Sequence, residues 1–468
     1  MGQVAVVIGQ AGTGKTTWLM ARANELAPGL VAAEHQRMLV ITRMHGARRR
    51  LEQKLKDACR TIPYSVATID GFALSIVNRW RTALGHTKPL AAVPGDVDFA
   101  DGVLGIEADF GRVAGSAARL LQSQTVGGVI GATYPLILID EFQDCHGPLL
   151  EFVAALSKHG SVLLAADDFQ LLDSSVSGCP AVEWARTQEA IGAGIIEELT
   201  TCHRTSVTGN LDAARCLRDN TPSTGRTIPV VCCPNHGPAA WKIIERLVCC
   251  ASSDRWTGTC ALICPSHDPV LGRVLESCAN QLRKKNLGPI RWQVECSAEE
   301  EQSRTATSLG LATATPDSDG SWQTPSGPLD GVATNVLNRV QRFARLRGID
   351  AIPHGLVARH VDTAVHEERA YWSPSSSRTV TTVHGAKNRE FDNVFVLWPY
   401  TVPSDVAQRR RLLYNAVTRT RRNCMVLVLG DEDRARDDPV LGLLGPPEPA
   451  FRQRPGGRKE RRARLETR

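Results

Sequence analysis

The sequence predicts an α/β fold with parallel sheets flanked by helices, and three observations carry that reading. Short, continuous apolar runs recur along the chain: VAVVI (4–8), MLVIT (38–42), LILI (136–139), SVLLAA (161–166), ALIC (261–264), NVFVLW (393–398) and CMVLVLG (424–430). Runs that are apolar on both faces suit strands buried centrally in a parallel sheet. Helical patterns lie between them, and that alternation marks a doubly wound architecture. Finally, 468 residues with 42% apolar content can bury large cores, and such a length fits roughly two to four domains.

The first run leads directly into chemistry. GQAGTGKT, comprising Gly9, Gln10, Ala11, Gly12, Thr13, Gly14, Lys15 and Thr16, fits the pattern G-x-x-x-x-G-K-[ST], with Thr17 following. It follows a predicted strand and opens the helical segment KTTWLMARANELA, which are the two contexts a phosphate-binding loop requires. The glycines let backbone N–H groups turn inward around phosphates, Lys15 reaches the β and γ phosphates, and Thr16 offers a hydroxyl to Mg²⁺. The bare pattern arises by chance in on the order of 0.02 chains of this length.

The run at 136–139 ends in DEFQD. Asp140 at the strand terminus suits Mg²⁺, and Glu141 beside it suits orientation and activation of an attacking water. An acidic pair at a strand end is often only a turn, but its place downstream of a phosphate loop favours hydrolysis.

Two stretches interrupt the alternation. Residues 80–130 carry Gly, Ala and scattered charge and are expected to form a small helical insertion. Residues 297–331, rich in Ser, Thr, Gly, Pro and acids, are expected to be a loop or weakly ordered excursion. A helix should follow, because Val332, Val336, Leu337, Val340, Phe343 and Ala344 share one face. The tail from 446 is Pro-rich and then basic, and is expected to be disordered.

Motif order then points to a family. DEFQD, SVLLAADDFQLL with Gln170, LTTCHRTS with Arg204, RTVTTVHGAKNREFDNVFVLWP (378–399) and RRRLLYNAVTRTRRNCMVLVLG (409–430) follow the phosphate loop. In this order they resemble the motif series of UvrD/Rep-like superfamily 1 DNA helicases. The resemblance implies two RecA-like P-loop lobes with ATP at their interface: residues 1–205, and residues 206–445 with an insertion at about 297–377. It implies that Gln170 senses the γ-phosphate or contacts the attacking water, and that Arg204 and Arg419 approach the γ-phosphate from the second lobe. A guanidinium placed there stabilises charge on the transferred phosphoryl oxygens. Glu390 resembles the residue that bonds the ribose, and His384 and Lys387 lie in the loop expected to link nucleotide to DNA. TIDGFA (68–73) resembles the family's T-x-H-x-F-A element, implying a phosphate contact for Thr68 and base stacking for Phe72.

The chain also departs from the family. Leu171, Leu172, Asp173 and Ser174 stand where aromatics usually stack on the strand, with Trp184 as a substitute. The T-x-T-N-K-A-A element is hardly kept, although Arg43, Arg48, Arg49 and Arg50 supply positive charge. The strand before the phosphate loop starts at residue 4, leaving no room for the upstream adenine-reading glutamine. His203 stands where a tyrosine stacks on the base, so relaxed nucleotide preference is expected.

Composition narrows the class without deciding it. Lys plus Arg exceed Asp plus Glu by 55 to 49, a net charge of +6 that permits a nucleic-acid partner without requiring one. No apolar run reaches the ~18 residues that span a bilayer, so no membrane partner and a cytoplasmic location are expected. None of the 14 cysteines falls in the paired CxxC spacing of structural zinc sites, and buried thiols in a reducing compartment are the expectation. The sequence thus predicts an ATP- and Mg²⁺-dependent translocase or helicase on single-stranded or tailed DNA, 3′ to 5′ by family resemblance. The alternative is an ATP-gated DNA-sensing subunit of a repair or defence complex that activates a partner nuclease.

Overall fold

A computed structural model describes residues 3–451 except 44, 94, 103–104, 251–253, 296–297, 312–320 and 372–376, with backbone alone for 45–50, 298 and 366–371. The chain forms two compact units, Met1–Arg204 with Cys296–Ser373, and Thr205–Glu295 with Pro374–Arg468.

In the first unit the chain runs through β1 (Val4–Gly9), α1 (Lys15–Leu30), β2 (Met38–Thr42), α2 (His45–Ala58), β3 (Tyr64–Thr68) and α3 (Ile69–Arg79). After β4 (Leu90–Val93), β5 (Ala100–Gly102) and β6 (Gly105–Asp109) come α4 (Phe110–Leu121), α5 (Gln124–Thr133), β7 (Leu136–Ile139), α6 (Pro148–Leu156), β8 (Ser161–Ala166), α7 (Pro180–Ala190) and β9 (Gly194–Leu199). The main sheet is parallel, in the order β3-β2-β7-β8-β1-β9.

Its continuous apolar runs have a direct explanation. Successive strand residues point to opposite faces, and both faces are covered. Val4, Val6 and Ile8 enter a core with α3, α4 and α6, while Ala5 and Val7 meet Leu19, Met20 and Ala23 of α1 and Leu51 and Leu55 of α2. Strand β9 sits at the sheet edge, half exposed, and carries Glu197 and Glu198.

The 80–130 insertion is not purely helical. Its first part is a three-stranded sheet, order β4-β6-β5, with Gly105 at φ 136° opening β6. Its second part, α4, supplies Val113, Ala114, Ala117 and Leu121 to the main core. The strands are three to five residues long, too short to show a clear period.

The second unit begins with α8 (Thr208–Asp219), β10 (Val230–Cys233), α9 (His236–Ile244), β11 (Cys260–Cys264), α10 (Pro269–Lys284) and β12 (Gln293–Val294). The chain then leaves it for α11 (Ala298–Ser308), α12 (Gly331–Arg347) and α13 (His354–Tyr371). It returns through β13 (Arg378–Thr382), β14 (Phe391–Trp398), α14 (Val406–Val417), β15 (Thr420–Leu429) and β16 (Glu448–Pro449). The second sheet is also parallel, in the order β12-β13-β11-β14-β15-β10-β16.

Three expectations change here. Residues 298–308, read as part of a loop, form a helix. With α12 and α13 it builds a small core around Trp322, Val336, Val340, Val357 and Val361, and the Trp322 indole donates to the Leu309 carbonyl at 2.7 Å. This helical module interrupts the second lobe in sequence, yet it packs with the first unit, where Arg359 of α13 pairs with the buried Glu107 of β6. The tail expected from 446 does not begin there, because Glu448–Pro449 pairs with β10; residues 452–468 lie outside the described residues.

Candidate nucleotide and nucleic-acid site

Chain order 1, 7, 8, 9 becomes the spatial order β7-β8-β1-β9, and all four strands are parallel. Their carboxyl ends therefore share one edge, where ligands of open α/β sheets bind. That edge gathers the phosphate loop after β1, Asp140 and Glu141 after β7, Asp167 to Gln170 after β8, and Cys202 to Arg204 after β9.

The loop's shape is imposed by its backbone. Gly12 and Gly14 have φ of 82° and 89°, a left-handed conformation that favours glycine. Gln10 closes the turn, its carbonyl accepting from the Thr13 N–H at 3.3 Å and hydroxyl at 2.9 Å. The segment after β9 presses close: the His203 N–H donates to the Gly12 carbonyl at 2.8 Å, and the Cys202 thiol to that of Ala11 at 3.5 Å. A Cβ on Gly12 would lie 2.5 Å from Cβ of Arg204, and one on Gly14 3.7 Å from the His203 ring. Helix α1 starts at Gly14 with no side-chain cap and no acidic residue in its first turn, leaving its first N–H groups to an anion.

Side chains complete the cradle. Lys15 Nζ donates to the carbonyls of Gly9 at 2.8 Å and Gln10 at 3.1 Å, and lies 3.9 Å from the buried Asp167 carboxylate. The Thr16 hydroxyl donates to Asp140 Oδ2 at 3.1 Å, so the two expected Mg²⁺ groups are neighbours; Thr17 is exposed beside them. Burial, and then the neighbouring Glu141 charge, push the Asp140 carboxyl up to about 6, while Lys15 pulls it down. A hydroxyl and a carboxylate oxygen side by side fit a hard divalent cation.

Glu141 adopts φ 59° and ψ 41°, a left-handed conformation costing a non-glycine residue roughly 1–2 kcal/mol. The surroundings hold it there: its N–H donates to Asp140 Oδ1 at 3.1 Å, and its carboxylate accepts from the amide of the buried Gln143. Gln170 is buried at the end of the turn that Asp167 caps by accepting from the Phe169 N–H at 3.2 Å. Arg204 belongs to the first unit, which corrects the expectation that it approaches from the second lobe; the close packing of residues 202–204 on the phosphate loop is the reason.

In the second unit, Arg419 is buried at the end of α14, where its guanidinium donates to the Asn415 carbonyl at 2.9 Å and the Thr418 hydroxyl at 3.3 Å. The Glu390 carboxylate accepts from Arg421 through Nε at 3.0 Å and Nη2 at 2.9 Å. His384 is exposed and Lys387 buried in the loop between β13 and β14. Glu295, just after β12, clamps that loop by accepting from the Thr381 hydroxyl and the Arg389 guanidinium.

The proposed strand contacts of the first unit fare differently. Phe72 is 6% exposed and packs edge-on against Tyr134 with ring centroids 5.6 Å apart, so its faces serve the core rather than a base. Thr68 caps α3, its hydroxyl accepting from the Gly71 N–H at 3.1 Å. The Arg43 guanidinium donates to the Asp144 carbonyl at 3.0 Å, tying it to the loop after β7. Trp184 is half buried, edge-on to Phe142 with centroids 5.8 Å apart. Leu171 and Leu172 are buried. The side chains of Arg48, Arg49 and Arg50 lie outside the described residues.

Gln143, Asp167 and Glu295 had no role in the sequence reading. The first two stand inside the quoted motifs DEFQD and AADDFQ, which is the signal that was there to use; Glu295 had none. The described cysteines are free thiols, mostly buried. Among the described residues no cluster of three or more His, Cys, Asp or Glu side chains is placed to hold a metal, and no helix is long and apolar enough to cross a membrane.

Residues 1–175 match the AAA domain family, and residues 378–427 match the UvrD-like helicase C-terminal domain. No curated protein matches the chain in sequence. Among solved structures, it is similar to the Arterivirus nonstructural protein 10 helicase at 14% identity and TM-score 0.34, covering 94% of this chain and 62% of that one. The same protein in complex with DNA gives 14% identity and TM-score 0.32, with coverage of 94% and 63%. The PRRSV helicase gives 11% identity and TM-score 0.34, with coverage of 91% and 52%. The chain therefore spans between half and two thirds of the length of these structures.

Proposed function

We propose that this chain, a UvrD-like superfamily 1 helicase by family, is an ATP-dependent translocase on single-stranded DNA that moves 3′ to 5′ and separates strands. The observation that carries the proposal is the gathering of four motif segments at the carboxyl edge of β7-β8-β1-β9. ATP phosphates sit in the glycine-shaped loop, with Lys15 meeting the outer phosphates. Glu141 accepts a proton from the attacking water, and Gln170 reports the γ-phosphate. Arg204 and Arg419 keep the role their motifs imply, placing positive charge by the transferred phosphoryl group. Thr16 and Asp140 hold Mg²⁺, which when bound neutralises phosphate charge. The His203 ring beside Gly14 takes one face of the base. The direction of movement rests on the likeness of residues 378–430 to UvrD/Rep-like helicases.

A second reading is favoured by a specific observation: Phe72, Leu171 and Leu172 are buried, so none of these three positions offers an aromatic face to a strand. It is an ATP-gated DNA-binding subunit of a repair or defence complex that switches a partner nuclease. ATP hydrolysis and strand displacement by the purified chain, on duplexes with 3′ or 5′ tails, separate the two. The first expects DNA-stimulated hydrolysis, displacement from the 3′ tail, and loss of both in Lys15→Ala, with a drop of at least about 100-fold. Robust hydrolysis without displacement supports the second, and full hydrolysis by Lys15→Ala overturns both.

A further inference from the structure

We infer that Gln143 is a positioning residue for hydrolysis: its side-chain amide fixes the Glu141 carboxylate and links it to the phosphate-sensing turn after β8. The inference rests on the hydrolytic role proposed for Glu141. Gln143 is wholly buried. Its Nε2 donates to Glu141 Oε2, and its Oε1 accepts from the backbone N–H of Asp167 at 3.1 Å. These partners leave the amide one orientation, because a carboxylate needs a donor and an N–H needs an acceptor. A neutral side chain carrying both groups is required, which glutamine supplies and glutamate or methionine does not.

The two ends of the bridge matter to the same reaction. At one end Glu141 already has its backbone bent into a left-handed conformation, so the amide restrains what freedom its side chain has left. At the other end, Asp167 faces Lys15 at 3.9 Å, caps the turn through Phe169 and accepts the Gln170 N–H on its carbonyl at 2.9 Å. A displacement of that turn is therefore passed to Glu141 through one buried amide. Gln143 itself is anchored from behind, its carbonyl receiving the Cys179 thiol at 4.0 Å.

The test uses the full chain in single-turnover ATP hydrolysis with single-stranded DNA, together with binding of a non-hydrolysable ATP analogue and thermal melting. Gln143→Glu keeps the acceptor for Asp167 and removes the donor to Glu141; Gln143→Met keeps the volume and removes both. Each is expected to slow hydrolysis by about 10- to 100-fold while analogue affinity stays within about threefold. Added to Glu141→Gln, Gln143→Met should cost less than about a further threefold, since residues acting as a unit are not additive. Hydrolysis within threefold of wild type, multiplicative losses in the double variant, parallel loss of analogue affinity, or loss of the cooperative melt in both Gln143 variants would each overturn the inference. If Glu141→Gln itself hydrolyses at the full rate, the hydrolytic reading falls as well; if it is inactive while the Gln143 variants are not, only this inference falls.

Discussion

The phosphate loop of the first unit and the loop between β13 and β14 of the second are held by different means. The first takes its shape from the main chain: left-handed glycines, carbonyls that accept from Lys15, and the His203 N–H on Gly12. The second is held by charged side chains, with Glu295 clamping Thr381 and Arg389, and Arg421 pairing with Glu390. A backbone-built site fails when one atom is added, whereas a side-chain clamp loosens by degrees.

Four substitutions sharpen that contrast, and the first should have the largest effect. Gly12→Ala places a methyl 2.5 Å from Cβ of Arg204 at a φ of 82°, so nucleotide affinity measured by calorimetry should fall by at least about 100-fold, the size of a 3 kcal/mol loss. Glu295→Ala removes the acceptor from an ion pair whose side chains are each 14% exposed. Chemical denaturation should show about 2 kcal/mol less stability, the usual scale for hydrogen bonds to a charged group. Glu295→Gln, which still accepts from Thr381, should lose less; equal losses would mean that the charge alone holds the loop.

The smallest effect belongs to Asp392. Its carboxylate accepts from the N–H and hydroxyl of Thr259, both at 2.9 Å, which holds it below the usual carboxylate range. A carboxyl lowered by folding adds stability that is fully present above its unfolded pKa and lost as pH falls through the folded one. Asp392→Asn should therefore lower the urea midpoint at pH 7, and the gap from wild type should close as the medium is acidified below about pH 4. A gap that persists at pH 3 would assign the effect to packing.

What could be read from the sequence follows the same division. Strands β1, β2, β7, β8, β11, β14 and β15 announce themselves because apolar residues face both ways. Strand β9, GIIEEL, did not, because it is a half-exposed edge whose polarity hides its place. The module from 298 to 371 was half legible. The α12 stripe showed a helix, but α11, AEEEQSRTATS, carries its acids in the first turn and little apolar content. Nor does any local pattern say which unit such a module joins. That depends on contacts between residues far apart in the chain, such as Arg359 with Glu107 and the packing of α13 on α2.

In the site, Lys15, Thr16, Asp140 and Glu141 could be picked out because each stands in a short motif at a strand end, and the fold brings Thr16 and Asp140 within hydrogen-bond reach; the roles given to them belong to the proposal. Phe72 misled because an aromatic in a motif and an aromatic in a core look alike until Tyr134 and Phe152 are seen around it. Gln143 escaped although it stands inside DEFQD, because its second partner, the Asp167 N–H, lies 24 residues on and only the fold brings it near; Glu295 escaped because its partners Thr381 and Arg389 lie 86 and 94 residues on.

The interleaving of β1 between β8 and β9 has a consequence for the chain's birth. Val4 finds its neighbours at Val162 and Gly194, so a ribosome must add roughly 160 residues, some 10–30 s of synthesis, before the first strand can be seated. During that interval VAVVI has neither of its neighbouring strands, and the nucleotide cradle cannot close before β9 and the segment to residue 204 have been made. A nascent-chain folding assay should find nucleotide protection appearing only after residue 204 has cleared the exit tunnel.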